Sequence, residues 1–188
     1  FFRQPEQRLI SEYYYMSRFN LRRVGHNVSK AHISRRIRTG NAGCAVKALT
    51  RQFTFSHPKW YDPRDWPREP CLSPDPPVDS EVGLAVQRVH KMAFVGLTEE
   101  WALSICLFHA MYGGPCKQLE FLDSRRGPNH EEAGYDANAL LRNWTDKFDG
   151  PVYAEATRVF WARVKDWGVS RNGCRRTCYG RLDEDEQQ

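Results

Sequence analysis

The sequence predicts an α/β domain in which a parallel β-sheet is flanked by helices. The strongest indication is a continuous apolar run at residues 92–97, which is typical of a strand buried on both faces. Helical patterns precede this run at residues 80–90 and follow it at residues 98–112. The chain also opens on Phe1 and Phe2, which we interpret as the end of a second buried strand. A strand placed between two helices is the arrangement expected of a parallel sheet.

A first helix is predicted directly after this opening strand. Pro5 suits the first helical turn, because its missing N–H would have no intrahelical partner there. Glu6 places a carboxylate near the positive end of the same helix. Arg3 then lies at the carboxyl edge of the strand, where open α/β sheets bind their ligands. Ser11 lies about two turns further on, so the tertiary fold decides whether it meets the same ligand as Arg3.

The helix that follows the apolar run has a predicted beginning and a predicted end. Thr98 is the expected N-cap, and two glutamates follow it in the first turn. The Gly-Gly-Pro sequence at residues 113–115 ends the helix. Its apolar stripe, expected to face the core, consists of Trp101, Ile105, Phe108 and Tyr112.

The remaining segments complete one predicted domain at residues 1–168. A short helical piece is expected at residues 45–49, and a Pro-rich loop at residues 57–78, whose aromatic side chains either pack on the domain or stack on a sugar ring. A last helix begins near Pro151 and carries the apolar stripe Tyr153, Ala156, Phe160, Val164 and Trp167. Residues 169–188 form a Cys-containing acidic tail, which is expected to be disordered after Cys178.

Cysteines and sequons are compatible with the secretory pathway. The six cysteines are compatible with three disulfides in an oxidising compartment and equally with six free thiols, and fifteen pairings exist if all of them pair. A zinc site at Cys174 and Cys178 is not expected, because no second pair or nearby histidine completes four ligands. Two N-glycosylation sequons begin at Asn27 and Asn143, so a glycoprotein is expected.

The positive net charge of the chain indicates which classes of ligand it can bind. The net charge of +5 favours anionic ligands such as nucleotide phosphates, sulfate or acidic sugars. The basic residues are too dispersed to indicate nucleic acid. The sequence contains neither a stretch long enough for a transmembrane helix nor a signal peptide. Because the chain begins with Phe1 in what we interpret as a strand, we expect it to be a fragment of a longer protein.

Three segments, in order, resemble the PAPS-dependent sulfotransferases, in particular the Golgi carbohydrate group that includes the uronyl and heparan 2-O enzymes. The first matches that group's 3′-phosphate-binding pattern and consists of Phe2, Arg3, Pro5, Arg8, Ser11 and three tyrosines at 13–15. The second is the ungapped run at residues 94–101, which is similar to the family's "VGLTEE" strand and helix. The third, at residues 146–156, resembles the family's closing helix.

This resemblance implies a P-loop-kinase-like sheet and a defined reaction. A sulfuryl group would pass from PAPS, 3′-phosphoadenosine 5′-phosphosulfate, to a hydroxyl of a carbohydrate acceptor. Arg3 and Ser11 would hold the 3′-phosphate of the donor, and a later loop with Ser124, Arg125 and Arg126 would fold over the nucleotide. No metal is implied. The parent protein would work in the Golgi lumen, held to the membrane through a missing N-terminal anchor.

The sequence departs from the family in the half of the donor site that performs the chemistry. In these enzymes the 5′-phosphosulfate loop and its catalytic lysine precede the arginine–serine segment, and neither is present here; no P-loop pattern occurs. The 2-O group's histidine base also lies upstream, and none of the six histidines here stands in a motif, so the catalytic residues stay unassigned. Two hypotheses follow: the C-terminal part of a carbohydrate sulfotransferase, or a catalytically inactive sulfotransferase-like binding or interaction module.

Overall fold

The computed structural model describes residues 1–12, 42–52, 71, 73, 75–121 and 141–179. Within these ranges the regular structure is almost entirely helical. In chain order the helices are α1 at residues 5–12, α2 Cys44–Thr50, α3 Asp79–His90, α4 Trp101–Tyr112, α5 Asp149–Asp166 and α6 Arg171–Cys174. A 3₁₀ turn covers Gln118–Glu120, and a π-helical turn at Arg175–Tyr179 follows α6 directly.

The predicted α/β fold, a P-loop-kinase-like parallel sheet flanked by helices, is wrong, because the described residues form no sheet. The two segments predicted as strands meet in a single parallel bridge between Phe2 and Leu97. The N–H of Phe2 donates to the carbonyl of Gly96 at 2.8 Å, and the carbonyl of Phe2 accepts from the N–H of Thr98 at 2.8 Å. The pairing therefore extends over one residue and does not develop into strands.

A serine of α4 explains why no further strand pairs with the other side of Leu97. The buried hydroxyl of Ser104 accepts from the N–H of Leu97 at 2.9 Å and donates to the carbonyl of Leu97 at 3.0 Å. These backbone groups face away from Phe2, and in a parallel sheet they would pair with the next strand. A side chain thus takes the position that the sequence interpretation gave to a neighbouring strand.

Helix α4 begins later than predicted and ends as predicted. The N-cap predicted at Thr98 is wrong: the helix starts at Trp101, is preceded by Glu100 and has no side-chain cap. The hydroxyl of Thr98 instead contacts the carboxylate of Glu99 at 3.2 Å. The predicted end is confirmed at Gly113, whose φ of 78° is a left-handed value that glycine adopts readily.

The predicted apolar stripe of α4 faces largely outward. The most deeply buried part of the helix is the continuous segment Leu103, Ser104, Ile105, Cys106 and Leu107. Of the predicted stripe, Trp101, Phe108 and Tyr112 are 42%, 41% and 53% exposed. Their rings cluster with Phe1 and Phe94, and centroid distances are 4.6 Å for Phe1–Trp101 and 5.4 Å for Phe94–Phe108. Because α4 is apolar all round, its period alone did not identify the buried face.

The described helices belong to two compact units. The first unit comprises Phe1–Arg3, His90–Gly134 and Ala154–Gln188, and the second comprises Gln4–Val89 and Tyr135–Tyr153. The fully buried apolar side chains of the first unit include Val95, Leu107, Ala156 and Phe160. Those of the second unit include Ile10, Val46, Ala85, Val89, Leu141 and Val152.

Helix α5 has residues in both units, and its predicted pattern is largely confirmed. Pro151 lies in its first turn, as expected. Ala156 and Phe160 are fully buried and Val164 is nearly so. Trp167 lies beyond the end of the helix and is half exposed, so it does not continue the buried stripe.

Disulfides tie the C-terminal segment of the first unit to α4 and the residues after it. Cys106 pairs with Cys174, and Cys116 pairs with Cys178. Phe121 and Val169 pack against these buried sulfurs. In the second unit the disulfide Cys44–Cys71 joins the start of α2 to a residue 27 positions later. All six cysteines are therefore paired, which settles the choice that the sequence left open between disulfides and thiols.

Arg51 joins three segments of the second unit. Two of its nitrogens donate to the carboxylate of Glu81, at 2.8 and 2.9 Å. Its remaining donors reach the hydroxyl of Ser73 and the carbonyls of Asp75 and Pro76, at 2.9, 2.9 and 3.2 Å. Each of the five N–H groups of the guanidinium can thus find an acceptor, and the end of α2 is held to the start of α3.

Glu81→Gln is expected to lower the free energy of unfolding at neutral pH and to flatten its acid dependence. The hydrogen bonds from Arg51 are the main cause that lowers the pKa of Glu81 from 4.5 to about 2. A depressed folded-state pKa gives stability that is complete above pH 4.5 and is lost as the pH falls toward 2. After allowance for solvent screening, the loss should be about 1–2 kcal/mol.

Urea denaturation between neutral pH and about pH 3 measures this effect. The matched control is Asp166→Asn, which removes an exposed carboxylate in the last turn of α5. An identical pH slope in the parent chain and in Glu81→Gln would contradict the assignment of this ion pair.

Candidate functional site

Arg3 and Ser11 are the two predicted phosphate-binding residues that the structure describes. Arg3 lies between the Phe2 bridge and the start of α1, and its side chain is partly buried. Its guanidinium has no hydrogen bond or ion pair with any described residue. Ser11 is a partly buried residue of α1. Arg3 falls in the first unit and Ser11 in the second, so their binding of one common phosphate stays a prediction.

The other predicted site residues, Ser124, Arg125 and Arg126, lie outside the described residues. Their role in a loop over the nucleotide therefore also stays a prediction. Of the Pro-rich loop, only residues 71, 73 and 75–78 are described. Its three aromatic side chains lie outside the described residues.

The second unit contains a buried pair of carboxylates, Asp146 and Asp149, which we call the carboxylate pair. Both side chains are 1% exposed. One oxygen of Asp146 accepts from the N–H of Gly43 at 2.9 Å. The other accepts from the N–H groups of Phe148, just before α5, and of Asp149, its first residue, at 3.0 and 3.1 Å. Asp146 thus joins the residue before α2 to the start of α5, across 103 positions of sequence.

Asp149 caps the beginning of α2. Its two oxygens accept from the N–H groups of Ala45 and Val46 at 2.9 and 3.0 Å. These N–H groups have no partner within their own helix, and a carboxylate there also meets the positive end of the helix. A terminal nitrogen of Arg8 lies 3.7 Å from the carboxylate of Asp149. Burial is the main reason that the pKa of Asp149 is raised above its ordinary value.

Gly43 precedes α2, and its N–H donates to the carboxylate of Asp146. Its φ of 71° lies in the left-handed region, which other residues rarely adopt. A Cβ at this position would collide with the ring of Pro77. The residue before α2 is therefore a glycine both for backbone conformation and for space.

Lys47 is a buried amine in the same unit, with a side chain that is 2% exposed. Its Nζ donates to the carbonyl of Ser73 at 2.8 Å. Burial is the largest cause that lowers the pKa of Lys47, and the charge of Arg51 acts in the same direction. The carboxylate pair acts against them and raises the pKa.

Perturbed pKa values mark functional sites, but structural networks perturb them as well. In the second unit, the oxygens of the carboxylate pair accept from backbone N–H groups, and the amine of Lys47 donates to a backbone carbonyl. Both carboxylates are closed off from solvent. The arrangement therefore fixes α2 to the start of α5 and leaves no exposed acid or base for a substrate.

The first unit contains a cleft of about 390 Å³ beside its two disulfides. Its polar lining includes His109, Ser170 and Thr177. The Nε2 atom of His109 lies 3.0 Å from the carboxylate of Glu120, and Nδ1 lies 3.1 Å from the carbonyl of Gly114. Both ring nitrogens are therefore engaged, so His109 holds the loop after α4 and has no nitrogen free for a ligand in the cleft.

Glu120 reinforces this loop. Its carboxylate accepts from the N–H of Lys117 at 2.7 Å, and this hydrogen bond is the main cause that lowers the pKa of Glu120. The carbonyl of Glu120 also accepts from the indole N–H of Trp101 at 2.7 Å. The polar contacts of this region thus stabilise the turn that carries Cys116.

Within the described residues, no three His, Cys, Asp or Glu side chains are grouped in a way that would hold a metal ion. No helix in the same ranges combines the length and the apolar character needed to cross a membrane. The three disulfides are typical of secreted and other extracellular-type proteins.

Comparison of the chain with protein-family models, curated proteins and solved structures finds no match.

Proposed function

We propose that this chain binds the 3′-phosphate of PAPS through Arg3 and Ser11, and that it serves the transfer of a sulfuryl group to a carbohydrate hydroxyl. The observation that carries the proposal is the state of Arg3. The residue is partly buried, and its guanidinium, with five donors, has no acceptor among the described residues. A phosphate group can place two acceptor oxygens opposite the parallel N–H donors of a planar guanidinium.

Sequence and charge support the same ligand class. The order of Arg3, Pro5 and Ser11 matches the 3′-phosphate-binding pattern of the sulfotransferases that the sequence resembles. The net charge of +5 favours an anionic ligand. The proposal concerns this segment and does not include a parallel sheet. It assigns neither a catalytic base nor a bond to the sulfuryl group.

The proposal includes a cellular place and a partner. Three disulfides agree with an oxidising compartment, and within it we propose the Golgi lumen. The partner is a sugar or glycan that accepts the sulfuryl group. Neither nucleic acid nor a metal ion is part of this function.

Calorimetric titration with 3′-phosphoadenosine 5′-phosphate tests the donor site. The unsubstituted chain is expected to bind. Arg3→Ala and Ser11→Ala are each expected to lose about 1.5–3 kcal/mol of binding free energy, the range for hydrogen bonds to charged groups. Arg3→Lys should recover only part of the loss, because a lysine keeps the charge without the fork of parallel donors.

The matched control is Arg176→Ala, which removes the same charge from an exposed arginine of the π-helical turn. An equal loss in Arg176→Ala would mean that net charge, and not a site at Arg3, drives binding. A well-folded parent chain that binds no nucleotide would refute the proposal.

The second candidate is a catalytically inactive binding or interaction module. The observation that favours it is that the carboxylate pair, Lys47 and His109 all form hydrogen bonds that hold the backbone. Sequencing of the coding region upstream of Phe1 discriminates between the candidates. A basic, Gly/Ser-rich loop with a lysine after a strand would support the enzyme, and a start codon directly before Phe1 would support the module.

A further inference from the structure

We propose that Asn143 carries an N-linked glycan, so that the turn between Leu141 and Asp146 is a modification site. Asn143-Trp144-Thr145 is an N-x-Thr acceptor sequence. Such triplets also occur by chance, so the sequence alone does not decide whether this one is used. The structure of the turn favours its use, independently of the proposed nucleotide site.

Asn143 stands at an exposed and well-anchored turn. Leu141 before it and Asp146 after it are both 1% exposed, so the two ends of the turn are buried in the second unit. The N–H of Trp144 donates to the carbonyl of Leu141 at 3.1 Å and closes the turn. Between these anchors, the side chains of Asn143 and Thr145 are both exposed.

The backbone conformation suits an asparagine at this position. Arg142 and Asn143 have φ values of 52° and 57°, in the left-handed region. Asparagine is enriched there several-fold over most residues, because its short polar side chain tolerates the conformation. A left-handed pair turns the chain sharply, in agreement with the hydrogen bond from Trp144 back to Leu141.

Among the described residues, a glycan at Asn143 would disturb no hydrogen bond or ion pair. The side chains of Asn143 and Thr145 make none with any of these residues. Substitution of the amide nitrogen therefore removes no hydrogen bond to the described part of the chain. Because the residue is exposed, the sugar can extend into solvent as glycans on surface loops do.

The disulfides provide an independent argument about the compartment. Three disulfides are typical of chains that fold in the oxidising lumen of the secretory pathway. N-linked glycans are attached to Asn-x-Ser/Thr sequences of secreted proteins. A chain that forms these disulfides in a eukaryotic cell therefore meets the glycosylation machinery before Asn143 is enclosed in its turn.

The modification is a group transfer to the amide nitrogen of Asn143. A bond forms between Nδ2 and the anomeric carbon of an oligosaccharide carried on a lipid pyrophosphate. The bond from that carbon to the pyrophosphate oxygen breaks, the lipid pyrophosphate leaves, and Nδ2 gives up one proton. The donor is thus a lipid-linked oligosaccharide, and no oxidant or reductant is needed.

The test is expression of the full chain with a secretion signal in a eukaryotic cell, followed by peptide mapping. The peptide that contains Asn143 is expected to carry a glycan, and peptide-N-glycosidase should release it and leave an aspartate at position 143. Mapping the peptide separates this residue from the second acceptor sequence at Asn27, which lies outside the described residues.

Three variants sharpen the result. Asn143→Gln and Thr145→Ala are both expected to abolish the modification, and Thr145→Ser is expected to retain it, because serine also satisfies the acceptor sequence. Thr145 is exposed, so Thr145→Ala should keep the thermal midpoint of the enzymatically deglycosylated parent. Secreted, disulfide-bonded protein with an unmodified Asn143 would overturn the proposal, and so would a glycan that persists in Thr145→Ala.

Discussion

Asp146→Ala is expected to lower the free energy of unfolding by about 3–5 kcal/mol, because it leaves several buried donors unpaired at once. The N–H groups of Gly43, Phe148 and Asp149 all donate to this carboxylate, and the side chain is 1% exposed. The alanine side chain opens no path for water to the three N–H groups. Most of the desolvation penalty of these unpaired donors should therefore remain.

Asp146→Asn separates the contact of this carboxylate with Gly43 from its contacts with Phe148 and Asp149. An amide oxygen can still accept from Phe148 and Asp149, but the amide NH₂ group would then face the N–H of Gly43. The expected loss is about 1–3 kcal/mol, the penalty for one unsatisfied buried donor. Urea denaturation measures both variants. The matched control, Asp166→Ala, removes an exposed carboxylate from α5 and should have little effect; equal losses in Asp166→Ala and Asp146→Ala would contradict the assigned role.

The double substitution Cys106→Ala/Cys174→Ala is expected to cost about 3 kcal/mol, from the entropy of the loop that the disulfide closes in the unfolded chain. Cys116–Cys178 interleaves with this disulfide and stays closed in the variant, so the loop that opens is only roughly 15 residues long. The sulfurs of Cys106 and Cys174 are also buried beside Cys178, Phe121 and Val169, so truncation removes packing as well.

Hydrogen exchange localises this effect. Without the disulfide, the amides of α6 and of the π-helical turn should exchange faster, because Cys116–Cys178 is then the only disulfide that holds this short segment among the described cysteines. Cys44→Ala/Cys71→Ala is the control, since it removes a disulfide of the second unit and should leave exchange in α6 unchanged. Unchanged exchange in both double variants would contradict a local stabilising role for Cys106–Cys174.

The helices were the predictable part of the fold, because their signals are local. Residues 80–90 predicted α3 to within one residue of its observed start at Asp79. The short helix predicted at 45–49 is α2, Cys44–Thr50. Glycine marked the end of α4, and the period of α5 identified Ala156, Phe160 and Val164 as buried. Each of these inferences depends on residues within a few turns of one another.

The sheet was not predictable from the same kind of signal. A buried apolar run of six residues is compatible with a central strand and also with an extended segment enclosed by helices. The difference lies in the partner of the N–H and carbonyl groups of Leu97, which is the hydroxyl of Ser104 on a later helix and not another strand. The predicted core stripe of α4 failed for a similar reason, since the helix is apolar on every side.

The carboxylate pair and the disulfide pairing depend on contacts between distant parts of the sequence. Residues 146–156 suggested packing alone, and nothing in that segment indicated that Asp149 would cap a helix more than 100 positions earlier. The order of the six cysteines likewise leaves fifteen pairings open. In contrast, Arg3 and Ser11 were singled out by a sequence pattern, and whether they share a ligand is a matter for binding experiments.

The hydroxyl of Ser104 also has a consequence for solubility. A short extended segment with unpaired N–H and carbonyl groups is a template on which a second chain can add a strand, and aggregation begins in this way. On the side of Leu97 that faces away from Phe2, both groups are already bonded to Ser104. Ser104 therefore occupies the N–H and carbonyl groups of Leu97 to which a strand of a neighbouring molecule could otherwise bond.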